Sequence, residues 1–349
     1  MRALVLEDWW KLVVAGRPDP AAHDDWVLLE VHATGICGSD IHGYTNENKR
    51  RRLGQVMGHE TVGRIVALGP DVPEDLNLHV GDVATVNPVM SCGHCEQCLS
   101  GNDPGCPTKS VIGVDPTVSS AFAELLAAPA ANVIPLPASM PIDYGALVEP
   151  LAVGYHAVRR GRVGPSDRVL VIGGGPIGQA CVLAAQRQGV GRVAVSEPSP
   201  SRRRLVEALG TTAVDPVAAS SATGGLKAAT GEALGGPPTI VIDAVGLSAT
   251  VDAAFDVAPL GSSIVLVGMG AAELAVRAYE VSTKERMVIG SFCYTADEFR
   301  ATARWVGGAP AELGVLIDGH TDLEGSDAVF TELAKGENPA SKVLVLPQA

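Results

Sequence analysis

Val169-Leu170-Val171-Ile172-Gly173-Gly174-Gly175-Pro176-Ile177-Gly178 is the stretch whose reading decides the fold. An unbroken apolar run enters Gly-x-Gly-x-x-Gly and passes into an Ala-rich segment, 177–188, that stops at Gly189. Such a run suits a parallel strand buried on both faces, and the segment after it suits a helix. The glycines permit a tight turn and let a pyrophosphate approach the helix N-terminus. The motif alone is weak. Here Glu197 also ends the next apolar run, 19 residues after Gly178 (197 − 178), where a carboxylate would accept hydrogen bonds from an adenosine ribose. Gly173, Gly175, Pro176, Ile177, Gly178 and Glu197 are therefore candidate dinucleotide contacts. Glu197 would repel a 2′-phosphate, which favours NAD. Arg202, Arg203 and Arg204 are the opposing feature: they would welcome that phosphate, or lie as a solvated helix face with one arginine on the adenine. The carboxylate acts at shorter range, so NAD is expected ahead of NADP.

Working outward, the pattern around this motif alternates strands with helices. Apolar runs at 168–172, 192–196, 239–243 and 263–267 read as strands of one parallel sheet. Ser201 is positioned to cap a helix over 202–209 that stops at Gly210, and 220–238 reads as a helix plus loop. Before about residue 150 the style differs. Short β-type runs at 26–32, 61–67 and 82–87 are punctuated densely by Gly and Pro, giving an irregular, mostly β region. After 290 come a helical stretch, 295–305, and a last strand, 341–346, expected to fold back on the first region. A chain of 349 residues accommodates about two domains. The expected division is 1–150, 151–290 and a return segment, 291–349, within an α/β class.

Composition narrows the function. Hydrophobic residues make up 46% and charged residues 19%, which is globular. A formal net charge of −13 argues against nucleic acid or an anionic membrane as partner. No run of about 18 apolar residues is available to span a bilayer. The first residues carry Glu7, Asp8 and Lys11 where a secretory signal needs uninterrupted apolar sequence, so a cytoplasmic location is expected. Four of the seven cysteines crowd between Cys92 and Cys106, which in a reducing compartment favours metal over disulfides.

That cluster is Cys92-x2-Cys95-x2-Cys98-x7-Cys106. Four thiolates so spaced can wrap a tetrahedral zinc at about 2.3 Å each, a closed shell suited to a structural ion. A second constellation is Gly35-Ile36-Cys37-Gly38-Ser39-Asp40-Ile41-His42, followed by Gly58-His59-Glu60. A catalytic zinc needs few protein ligands and one open position. Cys37 and His59 supply a sulfur and an imidazole, and Glu60 or Glu149 can complete the set.

Together these segments resemble the zinc-containing medium-chain dehydrogenases over essentially the whole chain. The segment Val148-Glu149-Pro150-Leu151-Ala152-Val153 is similar to the polyol (sorbitol-type) and threonine dehydrogenase branches. The resemblance implies a GroES-like, mostly β catalytic domain joined to a doubly wound, parallel-sheet Rossmann domain. It further implies Cys37 and His59 as ligands of a catalytic zinc, with Glu60 and Glu149 alternating as direct ligand or water-bridged neighbour. Asp40 would orient His59, Ser39 and His42 would relay a proton to solvent, and Cys92, Cys95, Cys98 and Cys106 would hold the structural zinc. Val245, Gly246, Val267, Gly268 and Met269 would line the nicotinamide. Relatives are dimers or tetramers, so a homo-oligomer is expected. One departure stands out: sorbitol-type enzymes often carry an aromatic residue directly after the histidine, where this chain has Gly43 and then Tyr44. The expected activity is hydride transfer between a secondary alcohol or polyol and NAD, giving a ketone. An amino alcohol or a phosphorylated polyol, met by the basic run 49–52, is the alternative substrate. A non-catalytic zinc and nucleotide-binding protein is the alternative class.

Overall fold

The computed structural model describes residues 1–47, 49–118 and 120–349. The chain divides into two compact units, Met1–Glu149 with Thr295–Ala349, and Pro150–Tyr294. No helix among the described residues is long and apolar enough to cross a membrane.

The first unit is built on a sheet whose strands follow the order Gly319–Thr321, Val343–Val345, Trp26–Gly35, Glu60–Leu68, Val83–Val86 and Val133–Leu136, with Leu125–Pro129 also pairing to Trp26–Gly35. Val27, Leu29, Val31, Ile65 and Leu126 form one core, each almost without exposure, as alternating β patterning requires. Leu4, Leu6, Tyr44, Phe122, Phe330 and Val345 form a second core, gathered from both ends of the sequence. Leu4 and Leu6 come from an antiparallel hairpin, Arg2–Asp8 with Lys11–Gly16, in which Trp10 takes a positive φ of 63° at the turn.

Two registers in this unit position the chemistry. Trp26–Gly35 and Glu60–Leu68 run antiparallel with Gly35 opposite Glu60. The residues just beyond that pair, Cys37 and His59, are thereby brought to one place. The last strand pairs Leu344 with Gly35 on the other side, and Ile36 N–H donates to the Val343 carbonyl at 3.0 Å. Lys342 is delivered to the same spot.

The second unit is a six-stranded parallel sheet in the order Thr212–Val214, Val193–Ser196, Val169–Ile172, Ile240–Asp243, Ser263–Leu266, Met287–Gly290. Successive strands step one way from Val169–Ile172 and then the other way, so the order reverses beside the Gly-rich turn. Leu170, Ile172, Val241, Phe255 and Ile264 fill the core. Three expectations shift here. The helix after Glu197 runs Pro200–Ala208 with Ser199 at the cap position, not Ser201, because the fixed φ of Pro200 starts the first turn earlier. The 220–238 region holds the end of one short helix, Pro216–Ser220, and a second helix, Gly225–Leu234, bounded by left-handed glycines. The motif helix runs Pro176–Arg187, likewise with proline in its first turn.

Candidate active site

Cys37 caps the short helix Gly38–Tyr44, and its backbone N–H donates to Asp40 Oδ2 at 3.2 Å. His59 is buried, and Glu60 and Asp40 are buried deeper. One donor atom each from Cys37, His59 and Glu60 lies within 4.8 Å of the others. A thiol, an imidazole and a carboxylate so grouped could hold a metal ion, and three such donors suit a zinc with one position left open. Glu149, in the first turn of Val148–Arg160, is also buried but stands outside that trio. Gly35 has a reason to be glycine: a Cβ there would meet Glu60 Oε2 at 2.1 Å.

Asp40 Oδ1 stands 3.5 Å from His59 Nδ1, a long contact that leaves Nδ1 without a well-formed hydrogen bond. The charge interaction persists at that distance. Burial opposes an imidazolium at His59, yet the Asp40 carboxylate holds it well above the usual imidazole range. Burial likewise opposes ionisation of Asp40, and His59 and Arg51 overcome it, leaving the carboxyl below its ordinary value.

Lys342, which the sequence did not single out, and Arg51, from the basic run 49–52, complete this region. Lys342 is buried, and its Nζ donates to Glu60 Oε2 and, at 3.1 Å, to the Ile36 carbonyl. Burial disfavours its charge, but Glu60, Cys37 and Glu149 together keep it protonated. Arg51 is buried as well, with Nη2 3.4 Å from Asp40 Oδ1. The basic run 49–52 is thus not wholly a solvated loop: Arg51 turns inward while Lys49 and Arg50 stay exposed. This explains Gly43, since a Cβ there would fall 2.5 Å from Arg51 Cγ. Tyr44 is buried instead, 2.8 Å from Thr331 Oγ1 and 3.1 Å from Asp327 Oδ1. Ser39 and His42 share the Gly38–Tyr44 helix, and His42 Nε2 stands 3.8 Å from Glu47.

The four cysteines of the loop also converge, with their sulfurs within 4.8 Å of one another. Backbone N–H groups of His94 and Cys95 pull the Cys92 thiol down to about 6, while burial pushes Cys98 up to about 11. Cys92 N–H, 3.5 Å from Cys106 Sγ, lowers Cys106. Amide donors aimed at sulfur favour thiolates, the form that binds zinc.

In the second unit, Gly173 has φ +99°, and a Cβ on Gly178 would lie 1.9 Å from the Gly173 carbonyl oxygen, so strand and helix touch there. A Cβ on Gly175 would meet nothing within 4 Å, leaving the helix N-terminus open to a ligand. Glu197 is buried, with Oε2 accepting Gly174 N–H and Oε1 accepting Ser199 N–H, each at 2.7 Å. Arg203 is spent on Asp215, at 3.0 Å, and on the Glu197 and Pro198 carbonyls. Arg202 is half-buried. Val245–Gly246 and Val267–Gly268–Met269 follow adjacent strand ends, with Met269 exposed.

Comparison with known proteins agrees with this assembly. Residues 23–138 match the alcohol dehydrogenase GroES-like domain, and residues 176–307 match the zinc-binding dehydrogenase domain. The L-galactonate-5-dehydrogenase of Escherichia coli is 33% identical over 87% of this chain and 86% of its own length. The D-xylulose reductase A of Aspergillus oryzae is 30% identical over 96% and 94%. An E. coli alcohol dehydrogenase solved with NADH superposes with TM-score 0.87 at 27% identity, covering 99% of each chain. A zinc-binding dehydrogenase of Sinorhizobium meliloti solved with NADP does so with TM-score 0.87 at 28% identity, again over 99% of each. With both domains matched in order, the chain belongs to the zinc-containing medium-chain alcohol dehydrogenase family, in its polyol-type branch.

Proposed function

We propose that this chain oxidises polyols or substituted secondary alcohols to ketones with NAD, using a catalytic zinc held by Cys37, His59 and Glu60. The observation that carries the reading is the convergence of those three donors at the end of the Gly35–Glu60 register. Zinc bound there would polarise an alcohol oxygen as a Lewis acid, and the nicotinamide would accept the hydride. The chain's own residues do the rest. Ser39 and His42 are three positions apart on one helix and so lie on one face, giving the alcohol proton a route towards half-exposed His42 and solvent. Asp40 orients His59 from behind, Lys342 holds Glu60, and Glu149 stands by as a neighbouring carboxylate.

Each Glu197 oxygen has accepted one N–H and keeps capacity for a ribose hydroxyl, whereas a 2′-phosphate would meet an anion whose neighbour Arg203 is already committed. NAD is favoured over NADP on that ground. The commitment of Arg51 to Asp40 likewise places a neutral polyol ahead of a phosphorylated one. A four-thiolate loop needs its cysteines reduced, which fits the cytoplasm. Among the described residues the outer strand Met287–Gly290 has no partner on one side and Met287 is exposed, an edge suited to a homo-oligomer, dimer or tetramer.

The test joins a metal count to a substrate panel of polyols, secondary alcohols and amino alcohols, read as reduction of NAD and NADP in parallel. Two zinc ions per chain and faster reduction of NAD are expected. A single zinc would remove the catalytic site and leave a binding protein. Preference for NADP would overturn the role given to Glu197.

A further inference from the structure

The strand Ile240–Asp243 ends on a carboxylate that the proposed chemistry does not use. Asp243 is fully buried. Its Oδ1 accepts the N–H groups of Val245, at 2.9 Å, and Gly246, at 3.1 Å. Its Oδ2 accepts the Thr250 hydroxyl at 3.0 Å. These three partners include no cation. The Asp243 carbonyl accepts the N–H groups of Val267 and Gly268 at 3.0 and 2.9 Å, and Gly270 N–H returns to the Val245 carbonyl at 3.0 Å. One residue therefore ties the turn after its own strand to the turn after the next. Those turns are pressed together: a Cβ on Gly246 would fall 2.2 Å from the Gly268 carbonyl oxygen, and one on Gly268 would fall 2.2 Å from the Val245 carbonyl carbon.

Burying a carboxylate without a cation is costly, and an apolar side chain would fill the same space without that cost. The expense is offset by fixed N–H and O–H donors, so what Asp243 provides is a turn held in one shape. Its place in the sheet says why that shape matters. Ile240–Asp243 and Ser263–Leu266 lie on the opposite side of Val169–Ile172 from the strand Val193–Ser196, which Glu197 follows. A dinucleotide laid across this reversal, with adenosine at Glu197 and pyrophosphate at Gly175, puts its other half over those two strand ends. We propose that Asp243 is a positioning residue for the nicotinamide half of the cofactor, acting through the Val245–Gly246 and Val267–Met269 turns; this rests on the dinucleotide reading given above.

The test compares NADH with ADP-ribose, which lacks the nicotinamide, by titration of the zinc-loaded, full-length protein and its Asp243→Leu and Asp243→Asn variants. Asp243→Leu should weaken NADH by about ten-fold, the equivalent of about one ordinary hydrogen bond, and leave ADP-ribose within about two-fold. Asp243→Asn keeps one acceptor oxygen for the two amides and should recover most of the loss. The same split should appear as a raised KM for NAD and a larger isotope effect with deuterated alcohol. Equal weakening of both ligands by Asp243→Leu would make Asp243 a general support of the sheet and overturn the proposal, as would unchanged NADH binding. If Asp243→Leu does not fold, Thr250→Val removes the Oδ2 bond together with the hydroxyl's contacts to the Leu247 backbone, leaves both Oδ1 bonds in place, and must show the same split at smaller size. Failure of the native protein to bind ADP-ribose would instead overturn the dinucleotide reading, and this proposal with it.

Discussion

Lys342 brings a buried positive charge beside Glu60 of the proposed metal site, and its value follows from what its loss would leave behind. Lys342→Met strands the Glu60 carboxylate without a counter-ion, which should cost about 3–5 kcal/mol in metal-free protein. A zinc on Cys37, His59 and Glu60 supplies the missing charge, so the zinc-loaded variant should lose less. Urea unfolding with and without chelator measures both, and equal losses would mean that Glu60 does not reach the metal. Cys37→Ser acts differently. It should abolish turnover while NAD affinity stays within about two-fold, because the sulfur serves the metal and not the cofactor; a collapse of cofactor binding would make Cys37 structural. The difference in legibility is physical. Cys37, His59 and Glu60 belong to short motifs whose chemistry is local. Lys342 reads as an ordinary basic residue and Arg51 only as one of the basic run 49–52, and only the pairing of Gly35 with Glu60 and Leu344 brings the lysine beside the carboxylate. Nothing local encodes that register.

The Gly-rich turn shows how one element separates stability from binding. Gly178→Ala would put a methyl 1.9 Å from the Gly173 carbonyl, so the strand and helix must part. Gly175→Ala meets nothing, and its φ of −71° suits any residue. The expected outcome is a lowered melting temperature for Gly178→Ala. Gly175→Ala should melt within a degree or two of the parent yet bind NAD about ten-fold or more weakly, since the methyl occupies the approach to the helix N-terminus. Retained affinity in a normally folded Gly175→Ala would remove the pyrophosphate from that turn. Elements of this kind were legible because buried parallel strands are continuous apolar runs, and glycine and proline mark their ends. The helix Gly38–Tyr44 was not legible. It holds two glycines in seven residues, and it forms because Asp40 and Cys37 satisfy its first turn and Tyr44 anchors its end.

At the scale of the whole molecule, the first unit is closed by contacts between segments far apart in sequence. Asp143 is an instance: its Oδ1 stands 3.1 Å from His32 Nε2 and its Oδ2 3.0 Å from His320 Nε2, joining the Trp26–Gly35 strand, the 3-10 turn Ile142–Leu147 and the Gly319–Thr321 strand. The hydrogen bond from His32 lowers the Asp143 carboxyl, burial works against it, and His320 adds to the lowering. A carboxylate whose folded pKa lies below its unfolded value stabilises the fold above the unfolded pKa, and that stability is lost as pH falls through the folded one. All three side chains are partly exposed, so solvent screening keeps the contribution below about 1 kcal/mol. Asp143→Asn should therefore unfold at slightly lower urea than the parent near neutral pH. The gap should close steadily from about pH 5 downward, as the parent's own carboxyl takes up its proton. Paired urea titrations across that range are the measurement. A gap that stayed constant with pH would show that Asp143 holds the three segments through packing or neutral hydrogen bonds and not through its charge.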